Sequence, residues 1–366
     1  MKKNIAYKYR IYPNQAQQVL ISKTFGCVRF IFNKMLGERI AYYKETGLSL
    51  QNTPAKYKKE YEWLKEVDSL ALANAQLHLD VAYKNFFRDK KVGFPKFKSK
   101  KHSSNSYTTN MVNNNIKLIG NKIYLPKLKG IRIKKHREIP KNYKIKSVTV
   151  SKTPTNKYYV SILCEYEADV LENVGTNYLG LDYAMNGLYV ASDGSQGDYP
   201  RFYRQLEKKL HKEQRKLSKM TKGSNNYRKQ KYKVAKVHEK IANSRKDYLH
   251  KTSHQIANEV DGVCVEDLNM QSMSKSMHFG KSVHDNGYGL FLNMLSYKLE
   301  RQGKKLIRVD KFYPSSKTCS CCGYIKKELK LSDRIYECPQ CGMVLDRDYN
   351  ASINIKKEGM RLASIY

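Results

Sequence analysis

Two short cysteine pairs stand close together late in the sequence, Cys319-x-x-Cys322-Gly and Cys338-Pro-Gln-Cys341-Gly. Thiolates at this spacing fold into two tight turns whose sulfurs converge, and Zn²⁺ takes four of them tetrahedrally at ~2.3 Å. The glycine after each second cysteine suits the positive φ that such a turn requires. Two redox CxxC sites would share the spacing, but paired knuckles that both end Cys-Gly favour one structural zinc ion. Cys321 is read as a bystander, because only Cys322 keeps both the spacing and the following glycine.

Immediately beyond lies Asp346-Arg347-Asp348-Tyr349-Asn350-Ala351, opening an apolar-periodic run that reads as a short helix. A cysteine module joined directly to an acidic helix start suggests an insertion just before the last acid of a site built elsewhere. Two upstream runs end on carboxylates, Tyr178-Leu179-Gly180-Leu181-Asp182 and Gly262-Val263-Cys264-Val265-Glu266. Alternation puts Cys264 and Glu266 on one strand face and Val263, Val265 and Asp267 on the other. Each acid alone reads as a turn residue. Together Asp182, Glu266 and Asp348 suggest carboxylates gathered around hard divalent cations. Two Mg²⁺ ions ~3.5–4 Å apart would activate a water and stabilise the leaving 3′ oxygen of a phosphodiester. Asp346 is the alternative third acid. On a helix it would point nearly opposite to Asp348, whereas along an extended chain the two would share a face.

The elements that must hold these residues follow from periodicity. Residues 3–10 read as a strand stopped by Tyr12-Pro13-Asn14. A helix follows with Val19, Leu20, Phe25, Val28, Ile31, Phe32 and Leu36 as its core stripe. Thr53-Pro54 opens a second helix carrying Tyr57, Tyr61 and Leu64, and a third spans about Ser69 to Arg88. From Lys122 to Tyr166 the chain reads as strands, with Val160, Ile162, Cys164 and Tyr166 alternating. Because the first strand is remote from these in sequence, the helices between read as an insertion into one small barrel. Asn186-Gly187 turns the strand ending at Asp182 into a second strand. Two basic helices follow, about Tyr203–Met220 and Tyr227–His250; Leu206, Leu210 and Leu217, and Val234, Val237 and Ile241, are expected to hold them to the protein. A helix near Tyr288–Arg301 and a strand at Lys305–Val309 lead to the cysteines.

Sixty-nine Lys and Arg against 33 Asp and Glu give 366 residues a net charge of +36. Such an excess makes sense beside a polyanion. No apolar run approaches the ~18 residues of a membrane span, and the N-terminus lacks the apolar region of a secretory signal, which leaves nucleic acid as the partner and no membrane. Cys27, Cys164 and Cys264 lie in apolar contexts, a usage suited to a reducing compartment. The loop Gly93–Lys101 interleaves Phe97 with Lys96, Lys98, Lys100 and Lys101 and leads to Tyr107. Ammonium groups there can neutralise phosphates while aromatic faces stack on bases. On the basic helices Arg228, Lys229, Lys233 and Arg245 are the corresponding phosphate candidates.

The blocks KYRIYPN, GFPKFKSKKHSSNSYTT, GLDYAMNGLYVASDG, KVHEKIANSRKDYLHK, VEDLN, PSSKTCSCCG and CPQCGMVLDRDYNASINI, in this order, resemble TnpB, a family of RNA-guided DNA nucleases encoded by bacterial and archaeal insertion sequences. The family is related to the smaller type V CRISPR effectors, and the resemblance covers nearly the whole chain. It implies an α/β plus β architecture: an RNase H-like RuvC nuclease domain with a zinc-ribbon insertion, preceded by a small β-barrel wedge domain with a helical recognition-lobe insertion. The implied bounds are 1–12 and 104–170 for the wedge, 13–103 for the recognition lobe, 171–312 and 346–366 for the nuclease, and 313–345 for the ribbon. It further implies catalytic Asp182 in GLDY, Glu266 in VEDLN and Asp348 in DRDYN, holding two Mg²⁺ ions. Expected partners are a guide RNA from the transposon end and double-stranded target DNA with a short adjacent motif, in a bacterial or archaeal cytoplasm beside the nucleoid. The competing reading within the family is a catalytically silent guided repressor. Such repressors have lost carboxylates, and all three are present here. An autonomous DD(E/D) transposase would suit the nuclease fold, but it accounts for neither the wedge, the lobe nor the cysteine position.

Overall fold

Runs of β-branched and aromatic residues at period two, separated by Gly, Asn and Pro turns, make the first half of the chain a sheet. The computed structural model describes residues 1–89, 91–101, 105–169, 175–276, 280–330 and 332–364. The chain divides into two units, Met1–Asp169 and Val170–Tyr366. The domain boundaries expected at 103/104 and 170/171 lie outside the described residues.

In the first unit β1 (Lys2–Tyr12) is followed by α1 (Gln15–Thr46), α2 (Pro54–Glu60) and α3 (Ser69–Arg88). Then come β2 (Asn105–Asn110), β3 (Lys117–Ile119), β4 (Lys122–Leu125), β5 (Leu128–Lys134), β6 (Lys144–Lys152) and β7 (Tyr158–Glu167). The seven strands are hydrogen-bonded in the order β2-β6-β7-β1-β5-β4-β3. Every neighbouring pair is antiparallel. Among the described residues no ladder joins β2 to β3, the two ends of this order. Asn14 starts α1 with a capping box: its side chain accepts from the Gln17 N–H, and Gln17 answers on the Asn14 N–H. The buried stripe of α1 runs through Ile21, Phe25, Val28, Ile31, Phe32 and Leu36 and shares one core with Leu72, Ala75 and Leu79 of α3 and with Tyr9, Val160 and Ile162 of the sheet. Val19 was expected in that stripe but is exposed. Two residues along a helix are ~200° apart, so Val19 points away from the core side that Ile21 occupies.

In the second unit β8 (Tyr178–Tyr183) and β9 (Tyr189–Ala191) lead into α4 (Phe202–Ser218) and α5 (Asn225–Glu259). They are followed by β10 (Gly262–Glu266), α6 (Met270–Ser276), α7 (Gly280–Asn286), α8 (Tyr288–Arg301) and β11 (Lys305–Val309). A two-stranded ladder of β12 (Ile335–Glu337) and β13 (Val344–Asp346) precedes α9 (Arg347–Ala363). The main sheet has the order β11-β10-β8-β9, with β10 parallel to both β11 and β8, and β9 antiparallel to β8. Alternation along β8 and β10 sends Leu179, Leu181, Val263 and Val265 to one face, where they pack with Leu249 and Ile256 of α5 and Phe291 and Leu295 of α8. Leu181 is fully buried there, and its truncation to Ala would cost about 2–5 kcal/mol.

The opposite face carries Gly180 and Cys264 and is covered by α9. A Cβ on Gly180 would stand 2.1 Å from the Ser352 carbonyl oxygen, so only glycine lets the helix lie directly on β8; Gly359 of α9 likewise backs onto Cys264. Leu210, Val237 and Ile241 form a separate small cluster joined by Leu206 and Val234. These apolar residues hold α4 and α5 to each other, which corrects the expectation that each helix is anchored separately to the protein. The remaining half of α5 reaches the sheet. No described helix is long and apolar enough to cross a membrane.

Candidate active site and metal centre

Alternation past Gly180 and Cys264 brings Asp182 and Glu266 to the face covered by α9. The parallel register pairs Cys264 with Gly180 and Val265 with Leu181. Glu266 therefore ends β10 level with Asp182 on the neighbouring strand. The helix lies with Ser352 and Lys356 over Gly180 and Gly359 over Cys264. One turn back toward its start, ~5.4 Å along the axis, lies Asp348. Three acids remote in sequence thus reach one end of the sheet, where the amino-terminal dipole of α9 favours negative charge.

All three carboxyls are raised. Burial, then the Asp348 and Glu266 charges, push Asp182 well above the usual carboxylate range. Burial pushes Glu266 up to about 7. Asp348 is raised by burial and then by Asp346, against the pull of Arg347 and Arg334. Arg334, from the cysteine segment, approaches an Asp348 oxygen at 3.9 Å. Asp346 caps α9: its Oδ1 accepts from the Asp348 N–H at 3.0 Å and from the Tyr349 N–H at 2.9 Å. The Asp346 carboxylate is committed to the helix end, and Asp348, two residues on and within the first turn, faces the sheet acids. Asp267 turns the other way and pairs with Arg308 at 2.9 Å.

The cysteine turns are near copies of each other. Gly323 N–H donates to the Cys319 carbonyl and Gly342 N–H to the Cys338 carbonyl, each at 3.0 Å. Both glycines have the left-handed φ that the sequence demanded, +80° and +72°. The sulfurs of Cys319 and Cys341, and those of Cys322 and Cys338, stand 3.6 Å apart. Among the described residues, these four side chains are the one group of three or more His, Cys, Asp or Glu with all ligand atoms within 4.8 Å of one another. Cys321 is exposed and outside it. Burial acts to raise the Cys338 thiol, but the N–H groups of Cys341 and Gln340, together with the Cys341 and Cys319 thiols, outweigh it and bring it to about 6.

Of the nucleic-acid candidates, Lys96, Lys100, Lys101, Arg228, Lys229 and Lys233 are exposed, and Phe97 is 59% exposed. Three others are corrected by the structure. Tyr107 is buried against Phe25 and offers no face to a base. Lys98 folds inward, with its Nζ 3.7 Å from the centre of the Phe32 ring and its backbone bonded to the Asn33 side chain. Burial lowers its ammonium below the ordinary lysine range. Arg245 turns toward Tyr199 and the buried Asp285 instead of solvent. An apolar ring or a buried acid nearby outcompetes water for these side chains, which a charge run alone does not reveal.

Sequence reasoning missed four residues. Asp285 accepts from the Tyr203 and Arg204 N–H groups at 3.0 and 3.3 Å, capping α4 from a distant element. The Tyr288 hydroxyl is buried with no hydrogen-bond partner among the described residues, and its acidity is suppressed by burial and then by Asp182 and Glu266. Asn350 and Asn354, about one and two turns into α9, are buried amides bonded to the first cysteine turn and the residues leading into it. Their i, i+4 spacing inside an otherwise apolar stripe was the available signal.

The chain matches family profiles described as "Helix-turn-helix domain" over residues 1–47, "Probable transposase" over 161–277 and "Cas12f1-like, TNB domain" over 288–355. Residues 1–47 hold a strand and a single long helix. A Streptomyces pristinaespiralis protein described as "Putative RNA-guided DNA endonuclease" is 35% identical, with 97% of this chain and 89% of that protein covered. The Escherichia coli K12 protein "Putative RNA-guided DNA endonuclease InsQ" is 31% identical over 98% of this chain and 93% of its own length. The chain belongs to the TnpB family. Its fold is also that of Cas12f1 as seen in a Cas12f1-sgRNA-target DNA complex, at TM-score 0.59 and 14% identity, covering 97% of this chain and 98% of the other.

Proposed function

We propose that this chain is an RNA-guided DNA endonuclease whose hydrolytic centre is Asp182, Glu266 and Asp348. One observation carries the reading: three acids from remote segments sit on one face, at one end of a mixed sheet, each with its carboxyl raised. Packing alone gives no reason to assemble like charges; a divalent cation does. The sheet order, with an antiparallel pair extended by parallel strands, agrees with an RNase H-like RuvC domain. The segment 313–345 then reads as its ribbon insertion, and the first unit as wedge with recognition lobe.

The thiol set fits one structural Zn²⁺. Four sulfurs ~2.3 Å from an ion in a tetrahedron stand about 3.8 Å apart, close to the 3.6 Å separations present. The acids fit hard cations. Hard divalent cations take carboxylate oxygens, and two of them are proposed here. Such ions supply an activated water and charge neutralisation at the phosphodiester. The chain's part is to aim. Asp182 and Glu266 are fixed by strand register, Asp348 by a helix whose first N–H groups Asp346 satisfies. Cleavage would leave a 5′ phosphate and a 3′ hydroxyl.

The exposed cations of α4 and α5 and of the loop Lys96–Lys101 are proposed to grip a guide RNA and its duplex with target DNA by charge and shape, while base pairing reads the sequence. The test is to purify the protein, sequence any RNA bound to it, and offer a matching DNA with Mg²⁺. Cutting confined to the matched DNA and absent without RNA is expected. Cutting of arbitrary DNA by RNA-free protein would overturn the reading.

A further inference from the structure

Helix α9 is held on two sides by different means. Against the sheet it lies bare, with Gly180 and Gly359 at the contacts. Against the cysteine module it is tied by polar bonds. Asn350 Oδ1 accepts from the Ser320 N–H at 2.9 Å, and Asn350 Nδ2 donates to the Thr318 carbonyl at 2.8 Å. Asn354 Nδ2 donates to the same Thr318 carbonyl at 2.6 Å and to that of Ser315 at 2.8 Å. Lys357 Nζ donates to the Ser320 carbonyl. Both amides are essentially inaccessible to water, at 0% and 2% exposure, so these bonds have no solvent substitute.

Thr318 and Ser320 flank Cys319, a member of the thiol group. Asn350 is two residues from Asp348, on the far side of the same helical turn. We propose that Asn350 and Asn354 are positioning residues that fasten the first cysteine turn to the helix carrying Asp348, so that metal loading of the cysteine centre tunes the affinity of the carboxylate site for its divalent cation. The inference rests on the carboxylate reading above. With the cysteine ion in place, the Cys319 turn presents the Thr318 carbonyl and the Ser320 N–H in one fixed arrangement. The two amides copy that arrangement into the rotation of α9, and Asp348 turns with it. Without the ion no bond joins the two cysteine turns through their sulfurs, so the first turn is less firmly held and passes less restraint to α9. Coupling of this kind is reciprocal: a cation held by Asp348 must strengthen retention of the cysteine ion.

The experiment uses the full RNA-bound protein with Mn²⁺ as the probe. Zinc release to a chromogenic chelator is timed with and without saturating Mn²⁺, and Mn²⁺ binding is measured by calorimetry. In the unaltered protein Mn²⁺ should slow zinc release. In Asn350→Ala and Asn354→Ala Mn²⁺ should bind roughly tenfold more weakly, zinc should leave faster, and Mn²⁺ should no longer slow it. Cutting at saturating Mn²⁺ should recover to within about twofold, which a simply misfolded helix would not allow. Asn350→Asp, which keeps the acceptor for Ser320, should fall between. Zinc release indifferent to Mn²⁺ in the unaltered protein overturns the proposal whatever the variants do. Unchanged Mn²⁺ affinity in both alanine variants also overturns it. The underlying reading fails separately, if Mn²⁺ binds Asp182→Asn as tightly as it binds the unaltered protein.

Discussion

The thiol cluster and the carboxylate cluster are built on opposite plans within the same unit. Each cysteine pair is made by one tight turn, closed by its own backbone bond, and the four sulfurs are already gathered. Little beyond those turns is needed to define the site. The carboxylates come from β8, β10 and α9, and what gathers them is strand register and a helix seated on glycine. They are also held at an electrostatic disadvantage, with Asp182 raised by its two neighbours after burial. A local site fails first when one of its own ligands goes. An assembled site stores unfavourable charge until a cation arrives, and it responds to anything that shifts an element.

The sharpest way to break this comparison is at the carboxylates. Asp182→Asn, Glu266→Gln and Asp348→Asn should each slow guided cutting by roughly three orders of magnitude, the loss of several kcal/mol of metal-mediated stabilisation. Guided DNA binding, measured by gel shift, and zinc content should be unchanged. Normal cutting in all three would place the chemistry elsewhere. Next in size, Cys338→Ser should lower zinc stoichiometry severalfold by elemental analysis and expose the segment 313–345 to protease. Cys321→Ser should spare both, and full zinc retention in Cys338→Ser would sink the assignment.

A third prediction concerns pH. With Glu266 near 7 in the folded chain against ~4.3 unfolded, the cation-free fold binds the extra proton more tightly. Its contribution to stability is fully present below ~4.3 and is lost as pH rises through about 7. Cation-free protein should therefore melt lower at pH 8 than at pH 5. Mg²⁺ should restore the melting temperature more at pH 8, and the Mg²⁺ needed for half-maximal cutting should rise up to about tenfold per pH unit below 7. A melting temperature that rises from pH 5 to 8 without cations would contradict the sign. Smallest of all, Asp346→Ala should cost about 1 kcal/mol as a lost cap and reduce cutting a few-fold, while Asp346→Asn stays close to unaltered. If Asp346→Ala is dead and Asp348→Asn cuts normally, the two roles are exchanged.

Much of this was legible because its determinants are short-range. Cysteine spacing defined the thiol site, and strands ending on Asp182 and Glu266 could be read from alternation alone. The roles of Asp346 and Asp348 could not. Separating them required knowing that the strand β13 stops at Asp346 and the helix begins one residue later, so that one acid caps and the other faces inward. Tyr107, Lys98 and Arg245 were misjudged for a related reason. Their types suit nucleic acid, but a ring or a buried acid supplied by a remote segment claims each of them. The Asn350 and Asn354 amides were hidden in a stripe that reads as apolar until the carbonyls of Ser315 and Thr318 are seen beside them.

The seat of α9 on β8 also dictates an order of events during synthesis. The ribosome completes Asp182 and Glu266 long before Asp348, and at roughly 5–20 residues per second the interval from Asp182 is about ten seconds or more. Throughout that time the strand end faces no helix, and Gly180 has nothing lying on it. A chain still being made therefore carries two of the three acids with neither the third carboxylate nor the amino end of α9 beside them.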